Sequence, residues 1–274
     1  MDLSYGIMQG RLSKIIDNKI QSFPEKNWKI EFKKANKLGL KLIEWTLDYK
    51  NLKNNPILTK KGQSKIKQLS RQYSIKVNSV TCDCFMQKPF WKIKNNKKLI
   101  TDLKHIIDGC RLLGIKFIVV PLVDNGSIEN YKDEKSLIDS CNKIVKYLRN
   151  SKVKLIFESD FSPKKLKNFI KQFDTKLFGI NYDTGNSAAL NYDIDQEFKY
   201  YGDYIHNIHI KDRIKGGKTV RLGKGNTDFF KLFNNLKKIK YKKNLILQTA
   251  RSKNNQHVNE IKINLKYLNQ FNND

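Results

Sequence analysis

The chain has 274 residues, which is enough for one domain with a full hydrophobic core, and its 54 basic and 26 acidic side chains give a net charge of +28. Its four cysteines have no patterned spacing, which excludes a disulfide framework, and no apolar run reaches the roughly 18 residues of a membrane span. Because the first residues also lack a basic region followed by an apolar stretch, we expect a cytoplasmic protein without a membrane partner.

The charge alone does not predict a nucleic-acid-binding protein. Of the basic side chains, 47 are lysine and 7 are arginine, and they are spread along the chain rather than clustered. Arginine makes the bidentate contacts to phosphates and base edges, so its scarcity favours a solvated lysine surface over a specific nucleic-acid site. The alternative, a positive field that attracts anionic substrates or polyanions at low salt, stays open.

Eight apolar, strand-like runs alternate along the chain with segments of helical periodicity. They occupy residues 3–8, 41–45, 76–81, 117–122, 154–158, 178–183, 205–210 and 244–248. Their spacing of roughly 25 to 40 residues accommodates a strand, a crossover helix and two short loops. Strict alternation predicts a parallel sheet, and eight such units predict a closed (β/α)8 TIM barrel. No proline- or glycine-rich linker interrupts the pattern, so we predict one α/β domain over residues 1–274, with a last helix over 258–271.

In a barrel of this kind, the chemistry lies at the C-terminal ends of the strands. The first strand is followed by Arg11, whose planar guanidinium suits a phosphate or carboxylate, and an ion pair with Glu44 or Asp83 is the alternative. Trp45 and Phe85, after the second and third strands, are predicted either as walls for a sugar ring or as core residues.

Each of the last four strands carries one metal-capable side chain near its C-terminal end, in the order Glu158, Asp183, His209 and Gln248. The intervals of 25, 26 and 39 residues are too long for a local metal-binding loop, but they suit one ligand from each successive strand. An unpaired carboxylate at a buried strand end is unfavourable, and a bound cation offsets that cost. Two alternatives to metal ligation stay open: a helix cap for Asp183, and a hydrogen bond to substrate for Gln248.

A glycine-containing loop over residues 220–230 follows the seventh strand. Its backbone N–H groups, with Arg221 and Lys224, could bind an anion at a helix N-terminus. The alternative is a tight turn in which Thr227 or Asp228 caps the next helix.

These residues and their neighbours resemble the xylose isomerase-like TIM-barrel superfamily, the group of sugar and sugar-phosphate isomerases and epimerases. The resemblance extends over nearly the whole chain, and it is carried by residues 6–12, 43–45, 157–159, 181–186, 209–212 and 222–229. The family usually has glutamate on the eighth strand, where this chain has Gln248.

The resemblance implies a metal-dependent isomerase of the aldose–ketose type that acts on a sugar or sugar phosphate through a metal-stabilised enediolate. It implies metal ligation by Glu158, Asp183, His209 and Gln248, and catalysis by Glu158, Gln248 and Lys211. This oxygen-rich ligand set favours Mn²⁺, with Mg²⁺, Co²⁺ or Zn²⁺ as alternatives. We expect six residues to contact the substrate, namely Arg11, Glu44, Trp45, Asn186, Arg221 and Arg251.

The amide of Gln248 favours isomerisation over epimerisation. Inversion through a planar enediolate needs a proton removed on one face and returned on the other, and an amide cannot take up a proton at neutral pH. Glu158 is then the only matched base, with Asp160 and Lys211 as candidate replacements for the second. The alternative functions are a 3-epimerase of the same family, an apurinic-site endonuclease-like phosphodiesterase and a non-catalytic sugar-binding barrel. Whether the chain forms a homo-oligomer is left open.

Overall fold

In the computed structural model, which describes residues 4–252 and 254–271, strands and helices alternate from Tyr5 onwards. The strands are β1 (Tyr5–Met8), β2 (Leu42–Thr46), β3 (Lys76–Thr81), β4 (Phe117–Leu122), β5 (Lys154–Ser159), β6 (Phe178–Asp183), β7 (Ile205–Ile210), β8 (Asp212–Arg213), β9 (Thr219–Val220) and β10 (Asn244–Leu247). The α-helices are α1 (Trp28–Lys37), α2 (Lys60–Tyr73), α3 (Asp83–Gln87), α4 (Lys97–Leu113), α5 (Tyr131–Asn142), α6 (Val145–Ser151), α7 (Pro163–Ile170), α8 (Thr184–Ala189), α9 (Ile194–Tyr201), α10 (Phe229–Lys238) and α11 (His257–Asn269).

Eight parallel strands close into a barrel in the order β1-β10-β7-β6-β5-β4-β3-β2, which confirms the predicted (β/α)8 TIM barrel as a single domain. The short strands β8 and β9 form an antiparallel hairpin after β7 and lie outside the barrel. The predicted strand bounds agree within one or two residues, apart from Leu3, which lies outside the described residues. The domain extent of 1–274 stays a prediction. Among the described helices, none has the length and apolar character needed to cross a membrane.

Alternation along each strand separates the hydrophobic core from the polar interior of the barrel. In β2, Ile43 and Trp45 are fully buried in the main core, which also includes Phe32 of α1. Glu44, between them, points to the opposite face and hydrogen-bonds to His209 of β7 on the far side of the barrel. The strands therefore present apolar side chains to the helices and a set of polar ones to the barrel axis.

Close packing inside the barrel depends on a glycine at position 6. A Cβ atom there would lie 2.6 Å from Ile246 Cδ1 and 2.6 Å from Leu42 Cβ, closer than real contacts allow. Met8, Leu42 and Ile246 form a small apolar cluster of their own, separate from the main core. This part of the barrel is therefore filled by apolar side chains.

Candidate functional site

A cavity of about 460 Å³ lies at the C-terminal ends of the barrel strands. Its wall is rich in charged and amide side chains from several loops and strands. These include Arg11, Gln21, Asp83, Asp124, Glu158, Asp160, Asn186, Lys211, Arg213 and Gln248. This is the end of the barrel where the sequence predicts the chemistry.

Three of the four predicted metal ligands converge beside this cavity. Glu158 of β5, Asp183 of β6 and His209 of β7 are buried, and one ligand atom from each lies within 4.8 Å of the other two. The Nδ1 atom of His209 is 2.9 Å from Glu158 Oε2 and 3.9 Å from Asp183 Oδ2. Such separations suit atoms that share one cation at about 2.0–2.2 Å.

The chemistry of this donor set fits a divalent cation. Two carboxylates and one imidazole nitrogen are hard or intermediate ligands, and burying the two negative charges without a cation is unfavourable. Part of the charge is offset by Lys211, whose Nζ lies 3.3 Å from Asp183 Oδ2. The same ammonium donates to Gln248 Oε1 at 3.2 Å, so Lys211 links the fourth predicted ligand to Asp183.

The helix-cap alternative for Asp183 is observed, and it leaves one carboxylate oxygen available for a cation. Its Oδ1 accepts a hydrogen bond from the backbone N–H of Asn186 at 2.8 Å, which caps α8, while its Oδ2 faces Lys211 and His209. The helix cap therefore fixes the carboxylate in the orientation that ligation requires.

The protonation of His209 is set by the carboxylates on either side of its ring. Burial by itself lowers the pKa of His209, but the negative charges of Glu44 and Glu158 outweigh burial and raise the pKa to about 10. Without a cation, the imidazole is therefore protonated at neutral pH. A bound cation would take the place of the proton on Nδ1.

Glu44, predicted to contact the substrate, does not line the cavity. It is fully buried, and its Oε1 lies 2.7 Å from Nε2 of His209. Its Oε2 accepts hydrogen bonds from Ser79 Oγ at 2.6 Å and Asn207 Nδ2 at 2.8 Å. With all of these contacts made inside the barrel, Glu44 orients the imidazole instead of reaching the cavity.

Two amide side chains hold the carboxylate of Glu158. Asn181 donates to its Oε2 at 2.9 Å, and Asn186 donates to its Oε1 at 2.9 Å. Asn186, predicted as a substrate contact, lines the cavity as well. Glu158 is therefore restrained at both oxygens, with its carboxylate at the cavity wall.

Lys211 reaches the ligand cluster because of a glycine in α8. A Cβ atom on Gly185 would lie 2.6 Å from Lys211 Cγ, so a larger residue would displace the lysine side chain. The neighbouring Arg213 also lines the cavity and donates to Asn186 Oδ1 at 2.9 Å. Sequence reasoning missed Arg213, although it lies two residues beyond Lys211, on the same side of an extended segment.

Arg11 lines the cavity as predicted, but it is not paired with a carboxylate. Its Nε donates to the carbonyl of Thr249 at 3.0 Å, and one terminal nitrogen donates to the carbonyl of Ile20 at 2.5 Å. The ion pair proposed with Glu44 or Asp83 is absent among the described residues. The guanidinium therefore keeps its charge available to the cavity.

Asp83 is a second cavity residue that sequence reasoning missed as a functional group. Its side chain is only 6% exposed, and no described residue donates a hydrogen bond to it. Burial, followed by the negative charges of Asp48 and Glu158, raises the pKa of Asp83 to about 7, against opposing effects of His209 and Arg11. Its position directly after β3 was the available sequence signal.

Trp45 does not form a wall of the cavity. It is fully buried, its Nε1 donates to Asn55 Oδ1 at 2.9 Å, and its ring packs against Phe23 and Trp28. Phe85 is likewise a fully buried core residue. For both aromatics the core alternative is the one observed.

Arg221 and Arg251 also lie away from the cavity wall. Arg221 makes a bidentate ion pair with Glu260, with N–O distances of 2.7 and 2.8 Å. Arg251 donates to the carbonyls of Gly10 and Ser13, and so holds the loop after β1. Neither of these predicted substrate contacts lines the cavity, because both guanidiniums are held by other partners.

The loop over residues 220–230 turns its N–H groups towards a carboxylate of this chain. The backbone N–H groups of Gly223, Gly225 and Thr227 all donate to Asp212, at 2.9–3.0 Å. Asp228 caps α10 by accepting from the N–H of Lys231 at 2.9 Å. The turn alternative is therefore correct, and the loop does not present an anion site.

Comparisons with known proteins agree on the fold. The family described as "Xylose isomerase-like TIM barrel" matches residues 32–271. No curated protein matches the chain. Among solved structures, a xylose isomerase domain protein from Planctomyces limnophilus is 14% identical, with a TM-score of 0.76 over 98% of this chain and 97% of that one.

Two further solved structures are similar over comparable lengths. A D-allulose 3-epimerase from Methylomonas sp., in complex with D-allulose, is 14% identical, with a TM-score of 0.76 over 98% of this chain and 96% of that one. The IolI protein, which has a bound zinc atom, is 16% identical, with a TM-score of 0.76 over 98% of this chain and 99% of that one. Identities this low show a shared fold and no more.

Proposed function

The chain belongs to the xylose isomerase-like TIM-barrel family, and from this premise we propose that it is a metal-dependent isomerase that interconverts an aldose and a ketose, free or phosphorylated. The observation that carries the proposal is the convergence of Glu158, Asp183 and His209 beside a polar cavity of sugar-accommodating size. Solved structures of similar fold include sugar epimerases, which supports a carbohydrate substrate.

Glu158, Asp183 and His209 would hold the cation, with the amide oxygen of Gln248 as the fourth donor. A divalent cation bound there would polarise the substrate carbonyl and so stabilise negative charge on its oxygen. The oxygen-rich donor set favours Mn²⁺, with Mg²⁺, Co²⁺ and Zn²⁺ as alternatives.

Glu158 is the proposed base. Its two oxygens are restrained by Asn181 and Asn186, so the carboxylate is positioned before substrate arrives. It would remove the proton from the carbon next to the carbonyl and return it to the neighbouring carbon. Lys211, whose ammonium lies between Asp183 and Gln248, would donate a hydrogen bond to the substrate oxygen that becomes negative.

Gln248 makes an isomerase a better proposal than an epimerase. It accepts a hydrogen bond from Lys211 through its amide oxygen, and an amide cannot serve as a proton-accepting base at neutral pH. A single carbon base on one face can move a proton between adjacent carbons without inverting either of them. A nuclease is less well supported, because the described residues bring a single histidine to the ligand cluster.

Exchange of carbon-bound hydrogen tests the proposal directly. The Mn²⁺-loaded protein is incubated in D₂O with aldoses, ketoses and their phosphates, and NMR follows deuterium at the carbon next to the carbonyl. We expect deuterium and an aldose–ketose product for at least one sugar, and neither with Glu158→Gln at full metal occupancy. Absence of exchange for every sugar contradicts an isomerase, and an epimer as the main product contradicts the single-base scheme.

A further inference from the structure

We propose that Asp83 is the second proton-transfer residue of this site, acting on the oxygens of the substrate while Glu158 acts on its carbons. The inference rests on the proposed isomerase function. It assigns a catalytic role to a residue outside the metal-ligand pattern, supplied by the end of β3.

Asp83 and Glu158 face the same cavity from different strands. Asp83 is the first residue of α3, one position beyond the residue that follows β3, and Glu158 is near the end of β5. Between them, β4 contributes Pro121 and the following Val123 to the cavity wall, neither of which can take up or release a proton. Asp124 and Asp160 also line the cavity, and Asp160 accepts a hydrogen bond from Ser127. A sugar in the cavity would therefore meet Asp83 and Glu158 from different strands.

The surroundings of Asp83 differ from those of the neighbouring carboxylates. Glu158 accepts hydrogen bonds from two amides, Asp160 accepts one from Ser127 Oγ at 2.5 Å, and Asp183 caps a helix. Asp83 is about as buried as Glu158 and Asp183, with 6% of its surface exposed against 5% for each of them, yet no described residue donates a hydrogen bond to it. The Asp83 carboxylate lines the cavity and is not one of the fully buried unpartnered groups, so its hydrogen-bonding capacity is open to a ligand in the cavity.

The protonation behaviour of Asp83 agrees with this position. In the metal-free protein its pKa, raised to about 7 chiefly by burial, allows both the acid and the carboxylate to be present near neutral pH. A group that both donates and accepts a proton in one turnover works best when its pKa is near the operating pH. Arg11, which also lines the cavity, lowers this pKa only in part and does not hold the carboxylate in an ion pair.

The reaction balances with these two groups alone. The Glu158 carboxylate takes the proton from C2 of the aldose, the freed electron pair forms the C1–C2 double bond, and the carbonyl oxygen on C1 takes a proton from the Asp83 acid. The Asp83 carboxylate then removes the proton from the oxygen on C2 as that oxygen becomes the carbonyl. The C1–C2 electron pair takes the proton back from Glu158 at C1, so both groups return to their starting states.

The first test is Asp83→Asn, which keeps the shape of the side chain and removes its proton chemistry. We expect isomerisation to fall by about 100-fold or more, the usual contribution of a positioned acid–base group, with metal content and Tm retained. The matched control is Glu129→Gln, which also removes one negative charge, at a side chain that is 68% exposed and pairs with Lys92. The control should keep the wild-type rate.

The second test separates proton transfer from a purely structural role. In Asp83→Ala, added formate or acetate should restore part of the rate in proportion to its concentration, because a small acid can enter the space left by the side chain. A rate for Asp83→Asn within threefold of wild type would overturn the inference, and so would a slow, folded, metal-loaded Asp83→Ala without any rescue. If the proposed function itself is wrong, the wild-type protein will exchange no carbon-bound hydrogen of any sugar. This outcome is distinguishable from a failure of the Asp83 inference alone.

Discussion

The Nε2 atom of His209 lies 2.7 Å from Oε1 of Glu44, while Nδ1 on the other side of the ring faces Glu158 and Asp183. Glu44 therefore accepts the Nε2 proton and leaves Nδ1 as the nitrogen that can bind a cation. This arrangement of carboxylate, histidine and metal ligands fixes both the tautomer and the ring orientation.

Glu44→Gln should consequently weaken metal binding without removing a ligand. Loss of the partner that orients a ligating histidine commonly lowers metal affinity by about 10- to 100-fold. Titration calorimetry with Mn²⁺ measures this affinity. Ser79→Ala, which removes one hydrogen-bond donor to the same carboxylate, is the milder control. An unchanged affinity in Glu44→Gln would show that Glu44 has no influence on the cation site.

Metal binding should become tighter as the pH rises, because the cation displaces a proton from His209. The folded pKa of about 10 exceeds the unfolded value near 6.5, so protonated His209 stabilises the metal-free fold below pH 6.5, and this contribution is lost as pH rises towards 10. Between those values, apparent affinity should rise by up to about tenfold per pH unit.

Calorimetry in buffers of different ionisation enthalpy measures the proton released in that reaction. We expect about one proton per bound Mn²⁺ near pH 8. His206→Gln is the matched control, since His206 lies beside Lys154 and Lys243, and burial lowers its pKa to about 3. A flat pH profile for the wild-type protein would contradict the pairing of His209 with the cation.

Gln248→Glu should introduce some inversion at the reacting carbon. The new carboxylate would stand where Gln248 Oε1 now accepts from Lys211 at 3.2 Å, and it could take up a proton. Product NMR distinguishes the epimer from the aldose–ketose product, and Gln248→Ala, which adds no base, should form no epimer. If the Glu variant forms none either, position 248 does not reach the second face of the substrate.

The protein should bind duplex DNA weakly, and the complex should dissociate at about physiological salt. The net charge of +28 comes mostly from lysines spread along the chain, so the attraction is the salt-dependent kind that counterion release produces. Fluorescence anisotropy at rising salt measures it. Salt-resistant binding, or nicking of abasic DNA, would instead support the phosphodiesterase alternative.

The sequence alone was sufficient to predict the barrel and the convergence of three candidate metal ligands. Apolar runs of strand length at regular intervals predict eight parallel strands, and the observed bounds agree closely. Glu158, Asp183 and His209 each stand near the C-terminal end of such a run. Because a closed parallel barrel brings those ends together, their convergence follows from local pattern and topology.

The direction in which each side chain points, and the residue with which it pairs, could be determined only from the tertiary structure. Adjacent positions in a strand face opposite sides, so Glu44 and Trp45 could not both line the cavity, and in fact neither does. Glu44 is held inside the barrel by Ser79 of β3 and His209 of β7, and the strand stagger that brings these residues together is not encoded locally.

The long and flexible side chains were the least predictable from sequence. Arg221 pairs with Glu260, 39 residues away, and Arg251 holds the carbonyl of Gly10, 241 residues away. Asp83, in contrast, lines the cavity and accepts no hydrogen bond from any described residue. Local periodicity determines which face of an element is apolar, whereas the partner of a polar group depends on which distant atoms the closed barrel brings within 3 Å of it.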